Sequence, residues 1–310
     1  MTQTARTVLP TDLVALVSYD GRVYANEAMT LDRIGTQDSP HPLETAFEQW
    51  FSFATGRHTW ISVKGPTLRG LISARKRASK LVWEIDCLIN AADNDNGVLM
   101  SLLDQTTAAA GKSGALKIFA RLPGDSAIAA TVSRCGFAPY VREIVYRRAT
   151  DSSQTFGANP DLRRRSKADS YPVFQLYNAV VPHEIRRVEA MTFAEWAGAQ
   201  ESLGRTSQYV QESGGRVCGL LRVAGDGDIG RFEVLGEHDA LDDLIESGLA
   251  KVANRKLAYS VVPEYQEGVR VRLERAGFEA VEEYSVLARR TVRLVKAPRL
   301  APAVVKPTMG

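Results

Sequence analysis

The sequence predicts an α/β (α+β) protein of two tandem domains, each with a mixed central sheet flanked by helices. Three observations support this fold class. The chain has 310 residues, 45% of them hydrophobic, so two domains of ordinary size can each bury a core. A stretch near the middle is polar and lacks apolar periodicity, which is typical of a linker. The order of strands and helices before this stretch recurs after it, which indicates a repeat.

Changes in composition along the chain predict the domain boundaries. Residues 1–150 form the first domain, 151–170 a linker, 171–290 the second domain, and 291–310 an extended C-terminal tail with three prolines. The linker contains the basic run Arg163–Arg165, for which a solvated surface is favoured over a nucleic-acid or membrane contact.

Apolar patterning predicts each element of the first domain. Residues 59–63 and 68–76 flank a KGPT turn and predict a hairpin, and residues 83–89 predict a third strand. Apolar residues at helical spacing from Leu99 onward predict a helix. The elements that follow are a strand over 115–123, an amphipathic helix, the pair Gly136–Phe137 and a strand rich in β-branched and aromatic residues.

The second domain repeats this order. A hairpin with an SGG turn comes first, then a strand over 231–235 and a helix with apolar residues from Leu241 to Val252. Gly277–Phe278 follows 141 residues after the corresponding pair of the first domain. The second hairpin strands hold a glycine at the same place, Gly70 and Gly219. A helix between two strands lets those strands run parallel, through a right-handed crossover.

Charge, cysteine and hydropathy patterns exclude several classes of protein. The net charge of +3 is small for a dedicated nucleic-acid binder. The three cysteines form no CxxC pair and the four histidines do not cluster, so neither a metal site nor a disulfide framework is expected. No apolar run approaches the ~18 residues of a membrane span, and the N-terminus has no secretory pattern, so a cytoplasmic protein without membrane contact is expected.

The order of elements resembles the GNAT superfamily of N-acyltransferases, over nearly the whole chain and twice. The residues that carry the resemblance are Gly70-Leu-Ile-Ser-Ala, the helix opening Gly97–Leu103 and the two Gly-Phe pairs. The resemblance implies acetyl-CoA or another acyl-CoA as co-substrate, no metal, and a small-molecule or peptide amine as acceptor. A monomer or a homodimer is compatible with it.

The resemblance also implies where a cofactor would bind in the first domain. In the family, the fourth strand bonds the pantetheine arm and the next helix receives the pyrophosphate at its N-terminus. The matching positions here are Ile89, Asn94, Asn96, Gly97, Val98 and Leu99. Asp93 and Asp95 oppose a polyanion, and helix capping by Asp93, Asn94 and Asp95 is favoured over a cofactor role. The second domain has the acidic loop 236–243 at this place, so no CoA is expected there.

Glu84 and Asp86, on the strand over 83–89 that matches the family's fourth strand, are the candidate catalytic bases. They alternate with apolar residues and therefore share a strand face, where each raises the pKa of the other. Ion pairing with Arg75, Lys76 and Arg77 is the alternative.

The sequence offers no clear catalytic acid and no clear base in the second domain. Many family members carry a tyrosine acid where this chain has Val132 and Leu273, and the register does not assign that role to Tyr140 or Tyr265. Glu233, the carboxylate on the fourth strand of the second domain, is expected to be a surface residue.

Two functions follow. The first is an acyl-CoA-dependent N-acyltransferase with its active site in the first domain. The alternative is a catalytically inactive tandem pseudo-acetyltransferase that binds a partner or effector. A nucleic-acid adaptor that uses Arg163–Lys167 and the basic tail is a distant third hypothesis.

Overall fold

One twelve-stranded sheet runs through the molecule. The computed structural model describes residues 5–9, 12, 26–36, 57–65, 67–91, 96–150, 159 and 161–291. The strands are β1 (Arg6–Thr7), β2 (His58–Lys64), β3 (Thr67–Lys76), β4 (Val82–Asn90), β5 (Lys117–Pro123), β6 (Ala138–Ala149), β7 (Leu162–Arg164), β8 (Thr206–Ser213), β9 (Arg216–Asp226), β10 (Ile229–Gly236), β11 (Leu257–Pro263) and β12 (Glu279–Arg290).

Seven α-helices lie within the described residues, together with three short 3-10 turns. The helices are α1 (Asn96–Ser113), α2 (Ala129–Arg134), α3 (Ser170–Val180), α4 (His183–Glu189), α5 (Phe193–Ala199), α6 (Leu241–Val252) and α7 (Glu267–Arg275). The turns are Leu31–Arg33, Lys167–Asp169 and His238–Ala240. The expected order of strands, helices and Gly-Phe pairs is confirmed in both halves, here called the first and second repeats.

The two repeats exchange their last strands. The sheet order is β1-β2-β3-β4-β5-β12-β6-β11-β10-β9-β8-β7, which is the same succession of equivalent strands from either edge. Strand β12 of the second repeat pairs with β5 of the first, and β6 of the first repeat pairs with β11 of the second. The sequence predicts a central sheet for each domain, and the exchange joins these two sheets into one. Each long terminal strand gains a partner on both edges, which leaves neither as an exposed edge.

Helices cover both faces of this sheet. Because β6 and β12 are antiparallel, the pseudo-twofold axis between them is perpendicular to the sheet, and equivalent helices lie on the same face. Helices α1 and α2 build one core on that face, and α6 and α7 build another. Alternate residues of β9 face opposite sides, so that Leu221 packs in the core of α6 whereas Leu220 packs with α3 and α5. Helices α3–α5 therefore cover the second face.

The glycines that suggested the repeat have matching structural roles. A Cβ at Gly70 would lie 2.9 Å from Leu102 Cδ1, and one at Gly219 would lie 2.8 Å from Leu244 Cδ1. Gly70 thus lets α1 approach the sheet closely, and Gly219 does the same for α6. The Gly-Phe glycines, at residues 136 and 277, have φ of 84° and 82° and end α2 and α7.

The second half of the expected linker has regular structure. Strand β7 pairs with β8 and extends the sheet of the second repeat. Arg163, from the basic run, binds Asp169 with its guanidinium group at 2.6 Å and also pairs with Glu212. This arginine is therefore engaged within the protein.

Two further sequence expectations concern the cysteines and membrane-spanning helices. The three cysteine side chains are buried. None of the described helices combines the length and apolar character that crossing a membrane requires.

Candidate functional site

Each repeat contains one pair of parallel strands that separate after three paired residues. Strands β4 and β5 pair from Val82–Lys117 to Glu84–Phe119. Strands β10 and β11 pair from Ile229–Leu257 to Arg231–Tyr259. We call the space between β4 and β5 beyond these pairs the first notch, and that between β10 and β11 the second notch. The register makes Glu84 equivalent to Arg231, and Asp86 equivalent to Glu233.

Residues 26–33 fill the first notch. The backbone N–H of Met29 donates to the carbonyl of Arg121 on β5 at 2.9 Å. On the other side, the N–H of Leu88 on β4 donates to Asn26 Oδ1 at 2.8 Å. This segment therefore uses backbone groups on both sides of the notch, as an added strand would.

Further hydrogen bonds hold the same segment to β4. The N–H of Glu27 donates to the carbonyl of Leu88 at 2.9 Å. Arg33 Nη1 donates to the carbonyl of Asp86 at 2.8 Å. These are the backbone groups that the resemblance assigns to a pantetheine arm, and the protein itself satisfies them.

Glu84 is buried between two arginines. Its Oε1 accepts from Arg75 Nε at 2.6 Å and its Oε2 accepts from Arg77 Nε at 2.8 Å. The pKa of the Glu84 carboxyl is raised, because burial and then the charge of Glu201 raise it by more than the two arginines lower it. These contacts are those of the ion-pairing alternative. The role of Glu84 as a base stays a prediction.

Asp86 has a different partner. Arg57 Nε lies 2.8 Å from Asp86 Oδ2, and the Asp86 side chain is buried. The carboxylate that raises the pKa of Glu84 is Glu201, which the sequence did not single out. The catalytic role of Asp86 stays a prediction as well.

The predicted cofactor-binding residues lie at the end of β4 and the start of α1. Asn94 lies outside the described residues. Asn96 and Gly97 are exposed, and Asn96 Oδ1 accepts from Thr131 Oγ1 at 3.2 Å. The side chains buried in the cores are those of Ile89, Val98 and Leu99. Only backbone groups of these three residues could therefore contact a ligand.

A chain of buried ion pairs connects the two repeats. Arg121 on β5 binds Glu201 at 2.7 and 2.9 Å and Glu143 at 2.7 Å. Arg77 reaches Glu201 as well, at 2.9 Å. Burial alone would raise the pKa of Glu201, but the charges of Arg121 and Arg77 lower it to about 2. Glu201 thus remains ionised and ties the second repeat to Arg77, the residue after β3, and to β5 of the first repeat.

A cavity of about 190 Å³ adjoins this network on the face that α3–α5 cover. We call it the central cavity. Residues of both repeats line it, among them Tyr140, Tyr177, Glu189, Glu233 and Tyr265.

The central cavity extends into the second notch. Val234 and Leu235 of β10 line it from one strand, and Val261 and Pro263 of β11 line it from the other. The two notches therefore differ in what they hold, although their strands separate at equivalent positions.

Glu233 is not the surface residue that the sequence suggested. Its side chain is only 20% exposed, and Oε2 lies 2.7 Å from Arg222 Nη1. Burial raises the pKa of Glu233, and Arg222 lowers it. Helices α3–α5 bury it, and they precede the strands that carried the repeat signal. The signal that could have found it is the register, since Glu233 stands where Asp86 stands in the first repeat.

Glu189, at the end of α4, faces the same cavity and is held by tyrosines. Its carboxylate accepts from the hydroxyls of Tyr140 at 3.2 Å and Tyr177 at 3.0 Å. Burial raises the pKa of Glu189, and the two hydroxyls lower it. The ammonium of Lys117 binds the backbone carbonyl of Glu189 at 3.0 Å. No sequence signal marks this residue, because it lies outside the repeated elements.

Comparisons with known proteins identify the fold. No protein-family model matches the chain, and no curated protein matches its sequence. Among solved structures, a GCN5-related N-acetyltransferase from Sphaerobacter thermophilus superposes with a TM-score of 0.55 at 13% identity, over 94% of this chain and 97% of that one.

Two more distant structures were also found. A tandem GNAT protein from the clavulanic acid biosynthesis pathway gives a TM-score of 0.48 at 14% identity, over 90% of this chain and 94% of that one. The N-myristoyltransferase of Saccharomyces cerevisiae gives 0.48 at 13% identity, over 76% and 67%. From its duplicated topology, its paired notches and the Sphaerobacter superposition, the chain has the fold of the GCN5-related N-acetyltransferases in tandem.

Proposed function

We propose that this protein is an acyl-CoA-dependent N-acyltransferase that presents the acyl group in its second notch. The single observation that carries the proposal is that the second notch opens on a cavity lined by a carboxylate, Glu233, two residues beyond the last paired residue of β10. A concave site with a few polar groups of shifted pKa is where chemistry is expected.

The location differs from the one that the sequence favoured. The first notch holds residues 26–33, which bond to both of its strands. An acyl-CoA would have to displace that segment before its pantetheine arm could bond β4. The second notch needs no such displacement, which supports it as the acyl site.

Glu233 is suited to act as the general base. A raised pKa brings a carboxylate closer to the pH at which an ammonium group must lose its proton. The first proton lost by the ammonium group is held on the Glu233 carboxylate, and the neutral amine nitrogen attacks the thioester carbonyl carbon. As the carbon–sulfur bond breaks, the second proton lost by the nitrogen passes to the departing sulfur, so that CoA leaves as the thiol.

Tyr265, two residues after the end of β11, lines the same cavity. Burial, followed by the charge of Glu189, raises the pKa of its phenol. The phenol therefore stays protonated at neutral pH and donates a hydrogen bond to the departing sulfur, which stabilises the developing charge.

The helix start beyond β10 favours the alternative of a non-catalytic binding protein. The residues there include Glu237, Asp239 and Asp242, which oppose a pyrophosphate. Arg216 pairs with Glu237, and Arg272 pairs with Asp242 at 2.9 Å, so that part of this charge is compensated. The pantetheine and acyl portions thus fit the site better than the nucleotide portion does.

A titration with acetyl-CoA and longer acyl-CoAs tests the proposal. Ligand at 100 times its dissociation constant should stabilise the folded protein by about 2.7 kcal/mol in a thermal denaturation experiment. Val261→Trp should fill the second notch and abolish the shift. Glu27→Ala, which alters the segment in the first notch, should leave it unchanged.

The outcomes separate the two candidates. Binding that survives in a folded Val261→Trp protein would mean that the acyl-CoA lies elsewhere. No stabilisation by any acyl-CoA at millimolar concentration would reject the transferase and leave the binding protein.

A further inference from the structure

The central cavity and the ion pairs beside it carry more negative than positive charge. The connected set contains six carboxylates and four guanidinium groups. The carboxylates are Asp32, Glu84, Glu143, Glu189, Glu201 and Glu233, and the guanidinium groups are Arg75, Arg77, Arg121 and Arg222. Lys117, the nearest ammonium, is matched by Glu195 at 3.5 Å and so does not change the difference.

Glu189 differs from the other five carboxylates. Each of the others lies within 3.0 Å of a guanidinium nitrogen. Among the described residues, the side-chain oxygens of Glu189 have no cationic partner within 4.0 Å, and their hydrogen bonds come from Tyr140 and Tyr177. Glu189 is half-buried, and partial removal of an ionised carboxylate from water without a direct cationic partner has a cost that a cationic group placed beside it lowers.

The walls around Glu189 suit an organic cation. Tyr177, Trp196 and Tyr265 line the cavity, and aromatic faces attract an ammonium group. The two tyrosine hydroxyls fix the carboxylate without neutralising it. An inorganic cation would need more oxygen ligands than this arrangement offers.

Glu233 lies in the same cavity, so a molecule there can reach two carboxylates. The cavity of about 190 Å³ exceeds the ~150 Å³ of an engineered cavity in another protein that binds benzene. A chain of a few carbons with an amine at each end fits this volume.

We propose that the acceptor is a small diamine or polyamine, with one ammonium held by Glu189, Tyr140 and Tyr177 and the reacting amine directed to Glu233. The assignment rests on the proposed function for the reacting end. The binding of the second positive charge does not depend on acyl transfer. Glu189 is a binding residue in this arrangement and takes no part in the proton transfer.

The test uses the whole chain and three probes of similar length without acyl-CoA. They are 1,4-diaminobutane, 1-aminobutane and 4-aminobutanoate, each titrated by calorimetry. Diaminobutane should bind at least ~10-fold more tightly than aminobutane, as expected for one charge-assisted hydrogen-bonded contact. Aminobutanoate should bind more weakly than both, because its carboxylate meets Glu189.

Two variants and a control assign the effect. Glu189→Gln should remove the preference for diaminobutane over aminobutane, and Tyr177→Phe should reduce it while keeping the ring. Glu184→Gln, an exposed position on the same helix, should leave the preference intact. Near-ultraviolet circular dichroism establishes that each variant is folded.

Equal affinity for the three probes, no binding of any amine at millimolar concentration, or a diaminobutane preference that survives in Glu189→Gln would overturn the proposal. Diaminobutane binding that depends on Glu189 without acyl transfer would reject the transferase and leave this site in place. Transfer to aminobutane as efficient as transfer to diaminobutane would reject this binding site and leave the transferase in place.

Discussion

The first notch contains residues 26–33, whereas the second opens on the central cavity. Both arise from the same strand geometry, with three parallel pairs before the strands separate. The contents differ because of segments outside the repeat: the stretch before β2 enters the first notch, and α3–α5 form a roof over the second. In a duplicated fold the strands show where a site can form, and the connecting segments decide which copy remains open.

The largest effect is expected for the base. Glu233→Gln should lower kcat by about 10²–10⁴ because it removes the group that takes the amine proton. The equivalent change in the first repeat, Asp86→Asn, should leave turnover unchanged in protein that remains folded. Steady-state kinetics with a saturating amine measure both. The reverse pattern would return the active site to the first notch.

Glu84→Gln should lower the stability of the folded protein. Loss of this carboxylate leaves Arg75 and Arg77 with less compensation in a buried place, at a cost of about 3–5 kcal/mol in the free energy of unfolding. Glu237→Gln, which breaks the exposed pair with Arg216, should cost less than about 1 kcal/mol. Denaturant unfolding compares the two. A fully stable Glu84→Gln protein with lost turnover would support a catalytic role for this residue instead.

Asn26→Ala should loosen the segment in the first notch. The change removes the acceptor for the N–H groups of Leu88 and Ala28 and should cost about 1–3 kcal/mol. Hydrogen exchange should show the Leu88 amide less protected, while amides of the second repeat are unaffected. If the Leu88 amide keeps its protection, Asn26 is not what holds the segment there.

The smallest effect is expected at the start of α6. Asp242→Asn removes a negative charge near the second notch and frees Arg272. This should strengthen acyl-CoA binding by about 0.3–1 kcal/mol, or up to ~5-fold. Asp125→Asn, an exposed acid of the first repeat, is the control and should change nothing. Calorimetry decides, and an unaltered affinity would mean that the nucleotide does not lie at this helix.

Local signals in the sequence predicted the elements of the fold but not their exchange. Gly136 and Gly277 mark the ends of α2 and α7 because only a positive φ fits there, and this requirement is local. The choice of β12 as partner for β5 is not local. The patterns of β6 and β12 fit either sheet, so the sequence does not distinguish between the two possible partners.

The candidate site was harder to predict for a related reason. Arg231 and Glu233 alternate with apolar residues, which is the pattern of a strand with one solvated face. That face is instead covered by α3–α5, whose sequence has no counterpart in the repeat signal. The same cover leaves Glu189 half-buried. Polar residues on a covered face and on a solvent-exposed face have the same sequence pattern, and only the tertiary structure distinguishes them.

The strand exchange imposes an order on synthesis. The end of β6 leaves the ribosome 141 residues before the end of β12, an interval on the order of 7–28 s at ~5–20 residues per second. Throughout it, the first repeat lacks the strand that belongs between β5 and β6. A nascent chain in this state presents open strand edges, to which a chaperone or a neighbouring chain can add a strand. The last dozen residues of the second repeat thus complete both halves at once, and a chain that stops before them finishes neither.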